Sequence, residues 1–139
     1  MSAPYTEIIN RKIIDYDDVI NTKLLQPNTT GNLITSWQVK PRRHIVMPAF
    51  RQAWDAAGNG FLTYHLLING TPIYPYDSKT VSLGSPYEDI YFPKPLEIPQ
   101  AAIISVTADL GNAAAAVNFT SRSIFWYFEL ENQLNHGHK

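Results

Sequence analysis

Two hydrophobic rhythms divide this chain. Over residues 1–32 the apolar residues come in pairs, Ile8-Ile9, Ile13-Ile14, Val19-Ile20 and Leu24-Leu25, recurring at roughly every fifth position. That period fits neither a helix nor a half-buried strand, because at ~100° per residue the pairs scatter around a helix without forming a stripe. β-branched residues in the pairs also weaken an isolated helix. Pro27 and Gly31 then break the chain. The pattern predicts an extended N-terminal arm over 1–32, docking its pairs either on its own domain or on a neighbouring subunit.

From residue 33 onward short β-like segments follow one another: 33–39, 43–47, 61–68, 71–74, 79–83, 88–92, 101–110, 115–119 and 123–131. They are rich in Val, Ile, Thr and aromatic residues and are separated by Pro, Gly, Asn and Asp. Eight or nine short strands with turns every ~8–12 residues predict a β-sandwich or barrel. Residues 49–60 ("AFRQAWDAAGNG") alone suit a helical turn, and 92–100 ("FPKPLEIPQ"), with three prolines, suits an extended connector. No Gly/Ser-rich linker interrupts this region. The expectation is therefore all-β: a single antiparallel, jelly-roll-like β-sandwich of about eight strands over 33–132, preceded by the arm and followed by a polar tail over 133–139.

Within that series "YHLLINGTPIYPYD" (64–77) carries the strongest local signal. Asn69-Gly70 between apolar runs predicts a two-residue hairpin turn. It pairs Ile68 with Thr71, Leu66 with Ile73 and His65 with Tyr74. Leu62, Tyr64, Leu66, Ile68 and Ile73 then form a core face, and Thr63, His65, Leu67, Tyr74 and Tyr76 an outer one. Pro72 and Pro75 make the second arm a short edge strand. The last segment places Ile124, Trp126, Phe128 and Leu130 on one face and Phe125, Tyr127, Glu129 and Glu131 on the other. A strand apolar on both sides is a central one, covered on both faces.

Composition narrows the function classes. At 139 residues and 15.7 kDa, one domain with its own core is expected. A net charge of −1 gives no basic footprint for nucleic acid. Charged residues at 17% and aromatics at 12% suit a small domain that hides surface against neighbours. Cysteine is absent, which leans towards a reducing compartment. Residues 1–18 lack the pattern of a signal peptide, and no apolar run approaches the ~20 residues of a membrane helix. Without a secretory address the acceptor patterns at Asn28, Asn69 and Asn118 are not expected to carry glycans.

No motif names a reaction: phosphate loop, nucleophile elbow and paired-cysteine metal site are all missing. His136 and His138 lie in the polar tail with no third ligand nearby. Asp15, Asp17 and Asp18 lack the glycine and closing glutamate of a calcium loop. The basic cluster at 40–44 reads as a solvated or locally paired loop. A cupin-like metal site would have only His44 and His65 to draw on. No cofactor and no metal are expected. Aromatic residues are the better candidates. Trp54, His65, Tyr74, Tyr76, Phe125 and Tyr127 are assigned to a subunit interface or a ligand surface. Trp37, Trp54, Tyr64, Tyr74 and Tyr76 are the rings available for stacking on sugars. Core packing accounts for Trp37 and Trp126. The arm residues Ile8, Ile9, Ile13, Ile14, Val19, Ile20, Leu24 and Leu25 form the second interface set.

The arm, the cysteine-free sandwich and the aromatic final strand "SIFWYFELE" together resemble small structural proteins of bacterial viruses. The stretch 96–131, a proline-led strand, an acidic-glycine turn and a long terminal strand, carries most of the likeness. Within that group the chain is similar to decoration (cement), penton and head-fibre proteins. The resemblance implies a non-enzymatic virion protein, assembled in a host cytoplasm. It would form a homo-oligomer, trimeric or pentameric, docking on a major capsid protein through its arm. The reading from a different class is a glycan-binding module using Trp54, Tyr74 and Tyr76.

Overall fold

A computed structural model describes residues 13–54, 60–84 and 87–129. Nine strands follow in chain order: β1 (Ile13–Leu25), β2 (Thr29–Gln38), β3 (Arg43–Trp54), β4 (Phe61–Ile68) and β5 (Thr71–Pro72), then β6 (Lys79–Ser82), β7 (Tyr87–Ile98), β8 (Ile103–Leu110) and β9 (Val117–Glu129). Among the described residues there is no helix. One sheet runs β1-β9-β3-β7; the other runs β2-β8-β4-β5, with β6 also pairing to β4. Every pairing is antiparallel. Successive strands keep crossing from one sheet to the other, and β1 lies beside β9. This is the jelly-roll order of a β-sandwich.

The core is made where the alternation of the facing strands meets. β4 and β8 bury every second residue: Leu62, Tyr64 and Leu66 on one, Ile104, Val106, Ala108 and Leu110 on the other. Opposite them stand Ile45, Met47, Phe50, Ile98, Val117 and Phe119. A chain of rings runs through the layer: Phe92 stacks on Phe50, Phe50 meets Tyr64 edge-on, and Phe119 lies between Tyr64 and Trp54. Each fully buried large side chain is worth about 1.5–3 kcal/mol of transfer free energy.

The turn and the pairs next to it form as expected, but the expected pairing of His65 with Tyr74 does not: His65 bonds Asp77 and Asp109 instead. Asn69 (φ 53°) and Gly70 (φ 78°) take the left-handed conformations of a type I′ turn. Ile68 pairs with Thr71, and the Ile73 N–H donates to the Leu66 carbonyl at 2.9 Å. Pairing ends at Pro72, and β6 takes over the rest of the β4 edge. The Asn69 side-chain oxygen accepts the Ile103 N–H at 2.9 Å, which ties the turn to β8.

Four expectations need correction. Residues 13–32 are not an arm outside the sandwich: β1 pairs with β9 along its length, and position 33 falls inside β2. Residues 1–12, with Ile8 and Ile9, lie outside the described residues. Residues 49–54 are strand, not helix, because Phe50, Gln52 and Trp54 alternate inward against Ala49, Arg51 and Ala53 outward. The proline-rich stretch belongs to β7, an edge strand paired only to β3, where missing N–H groups cost no ladder bond. Finally, segments 115–119 and 123–131 are one strand, β9. Its first half fixes the phase, burying Val117, Phe119, Ser121 and Ser123, so that Phe125 faces inward and Ile124, Trp126 and Phe128 face outward.

Candidate assembly surface

The outer face of the β1-β9-β3-β7 sheet can be built row by row from the strand register. Tyr16, Trp126, Val46 and Glu97 lie across one row, and Asp18, Ile124, Ala49 and Tyr91 across the next. Then come Ile20, Arg122, Arg51 and Asp89, and beyond them Leu24 beside Asn118. Tyr16 is 67% exposed, Ile20 58%, Leu24 52% and Tyr91 72%. The Tyr16 ring meets Trp126 edge-on, with centroids 5.9 Å apart. Several exposed apolar side chains on one sheet face make it a candidate contact surface.

Charges are interleaved with these residues and paired within the sheet. The Arg122 Nε donates to Asp18 at 2.6 Å, and Arg51 grips Asp89 with two nitrogens, the Nη2–Oδ2 contact being 2.8 Å. The hydrogen bonds from Arg51 hold the Asp89 carboxyl below its ordinary range. His44 bonds Glu97 at 2.8 Å. Arg122 and Arg51 stand on the two central strands, so the exposed apolar side chains alternate with paired charges across the face.

The opposite outer face mixes polar groups with the exposed side chains of Leu33, Phe61 and Ile103. Thr63 bonds Thr80, Ser36 bonds Ser105, and His65 sits between two acceptors. Its Nδ1 lies 2.7 Å from the Asp77 carbonyl and its Nε2 3.0 Å from Asp109, whose other oxygen accepts the Gly31 N–H. Two acceptors require two donors, so the ring is an imidazolium here. Burial, the largest single influence on its pKa, lowers it; the bonds to Asp109 and Asp77 and their charges outweigh burial and raise the pKa above 6.5. A raised folded-state pKa means that this contribution is fully present below pH 6.5 and is lost as pH rises through the folded value. Stability should fall by ~0.5 kcal/mol across that window, the size of a partly exposed ion pair. His65→Gln removes that pH dependence, which urea unfolding at pH 5.5 and 8.5 reads directly.

The candidate residues named from the sequence separate into three groups. Trp54 and Phe125 are buried, stacked on Phe119 and Trp37 respectively, and Leu25 is wholly buried, so these three are core and not surface. Tyr76 is wedged edge-on against Phe50 and Phe92; Val19 and Tyr127 pack on the core margin, with Arg43 over the Tyr127 ring at 4.0 Å. Tyr74, Ile20 and Leu24 are open, and the last two share the aromatic face. Sequence reasoning missed Tyr16, Trp126 and Tyr91 as surface groups. It also set His65 beside Tyr74 without its carboxylate partner. Asp109 stands at a polar position of the alternating segment "SVTADL", which is the signal that could have found it. His44 and His65 lie on outer faces of opposite sheets, so the two cannot share a metal. Among the described residues no three metal-ligating side chains converge.

No family model and no curated protein matches this chain. Solved structures do. A subunit of Bacillus endospore appendages, which form disulfide-linked pili, is 16% identical with a TM-score of 0.50, over 88% of this chain and 92% of that one. The virus-like particle of the giant freshwater prawn (Macrobrachium rosenbergii) extra small virus gives 9% identity and a TM-score of 0.40, over 87% and 85%. An infectious bursal disease virus structure gives 10% and 0.35, over 92% and 44%. The first of these likenesses establishes a shared fold.

Proposed function

We propose that the chain is a non-enzymatic structural subunit that assembles with copies of itself, using the outer face of the β1-β9-β3-β7 sheet as a contact surface. The observation that carries this reading is the group of exposed side chains on that face: Tyr16, edge-on to Trp126, with Ile20 and Leu24 open along β1 and Tyr91 open on β7. The finer reading is a virion component of a bacterial virus, of the decoration or minor capsid type, docking on a major capsid protein. The jelly-roll order supports it, being an order used by capsid domains, as does the absence of a basic footprint. The spore-appendage protein that shares the fold belongs to a pilus. These 139 residues hold no cysteine, so contacts made through them are non-covalent. The glycan reading is left with Tyr74 alone, because Trp54 is buried and Tyr76 is packed on the core.

The test is particle mass in solution. Light scattering of the wild-type chain should give a multiple of 15.7 kDa. Tyr91→Asp with Tyr16→Asp, both at exposed positions, should weaken assembly at least ~10-fold, equivalent to about 1.4 kcal/mol. A wild-type chain that stays monomeric at all concentrations overturns the proposal.

A further inference from the structure

Sheet edges decide which strands another chain can join, and three of the four here are blunted. β7 carries Pro93 and Pro95, β5 is two residues long and ends in Pro72, β6 has four residues, and β2 is broken by two register shifts. β1 differs. From Asp15 to Leu25 it matches β9 residue for residue, with no proline and no bulge, and among the described residues nothing pairs with its other edge. A long, regular, unpaired edge is a template for strand addition.

The backbone on that edge is already marked. The N–H of Tyr16 donates to the Asp15 carboxylate at 2.7 Å, and that of Asp18 to Asp17 at 2.8 Å. In an antiparallel ladder alternate residues turn their polar groups to the same side. The even-numbered positions of β1 therefore face away from β9, and the two carboxylates cap donors that would otherwise await a partner.

We propose that β1 pairs with β1 of a second copy, antiparallel, about a two-fold axis through Ile20. The pairing rests on the self-assembly reading above and adds to it a second contact, at the edge of the sheet whose outer face that reading uses. In this register Ile20 meets Ile20, Tyr16 meets Leu24 and Asp18 meets Thr22 on the outer face. On the inner face Asp17 meets Lys23 of the second copy, twice by symmetry. The exposed Tyr16, Ile20 and Leu24 are thus matched to one another, and the strand's lysine to an aspartate. Shifting the axis to Val19 sets Asp18 against Ile20 and Tyr16 against Thr22, which loses the apolar matches. The even-numbered N–H groups of one strand donate to carbonyls of the other, and Asp17 exchanges its backbone cap for the Lys23 ammonium. The outcome is an isologous dimer with one continuous sheet and a shared aromatic face.

Ile20→Cys tests the register in a chain that has no other cysteine. Mild oxidation should convert it to a covalent dimer, because opposed Cα atoms ~5.5 Å apart lie within disulfide range. Leu24→Cys should stay uncross-linked, the two sulfurs being set about 27 Å apart by an eight-residue offset. Asp17→Lys should weaken the dimer at least ~10-fold, and adding Lys23→Asp should restore it. Cross-linking at position 24, or an oligomer that fails to cross-link at 20, overturns the pairing and leaves self-assembly standing. A chain monomeric at every concentration overturns both.

Discussion

Phe50→Ala lowers the unfolding free energy by about 3–5 kcal/mol, the loss expected when a buried ring is deleted and the cavity only partly closes. Phe50 is 1% exposed and sits on β3 just past the register break at Pro48. Its ring lies 5.4 Å from both Tyr76 and Phe92 and 6.1 Å from Tyr64. It therefore joins β3 to β4, to β7 and to the loop after the hairpin. Domains of this size hold only about 5–15 kcal/mol in total, so a fifth or more of the stability goes. In urea the midpoint should fall by roughly 1–3 M with an unchanged slope. Tyr74→Ala is the contrast: at 85% exposure it should shift stability by less than ~0.5 kcal/mol. A midpoint shift of that small size for Phe50→Ala would mean that the ring cluster does not join the sheets.

Gln52→Met acts in the other direction. Gln52 is fully buried on the inner face of β3, and among the described residues neither its amide nitrogen nor its oxygen has a partner. Ser121, its cross-strand neighbour on β9, has a buried hydroxyl in the same condition. A buried polar group without a partner costs about 1–3 kcal/mol. Methionine fills nearly the same volume without that cost, so stability should rise by about that amount. Thermal unfolding of Gln52→Met, Ser121→Ala and the double variant checks this. A loss of stability in Gln52→Met would place a water between the two side chains.

Those same residues explain what the sequence could and could not disclose. The turn was legible, because Asn69-Gly70 sets the pairing of Ile68 with Thr71, but the pairing of His65 with Tyr74 was not found, since the ladder ends at Pro72 and β6 covers the rest of the β4 edge. The sandwich was legible from strand spacing. The phase of β9 was not. Residues 124–128 are apolar on both faces, so alternation there has no sign, and the sign comes from Ser121 and Ser123, polar residues that point inward. The strand at 49–54 was hidden similarly, since Gln52 occupies a core position and Ala49 and Ala53 an outer one. In β1 the paired apolar residues concealed a simple rule. Adjacent residues of a strand always face opposite ways, so Val19 and Leu25 face the core while Ile20 and Leu24 are left outside. The aromatic face could not be read at all without the register, because Tyr16, Trp126 and Tyr91 are scattered along the chain and meet only in the sheet.

The pairing of β1 with β9 also sets a clock. Asp18 and Arg122, bonded in the finished sheet, are 104 residues apart in sequence. At ~5–20 residues per second of synthesis, β1 waits roughly 5–20 s before its partner has been made. Such distant pairing is slow in any case, because loop closure must precede every contact that rewards it. During that interval β1 exposes both edges instead of one, and the carboxylates of Asp15 and Asp17 cap only two donors on one of them. Premature pairing between nascent chains on neighbouring ribosomes is the hazard this topology creates. A subunit built this way becomes competent to assemble only once its ninth strand has been added, which ties the order of assembly to the synthesis of that strand.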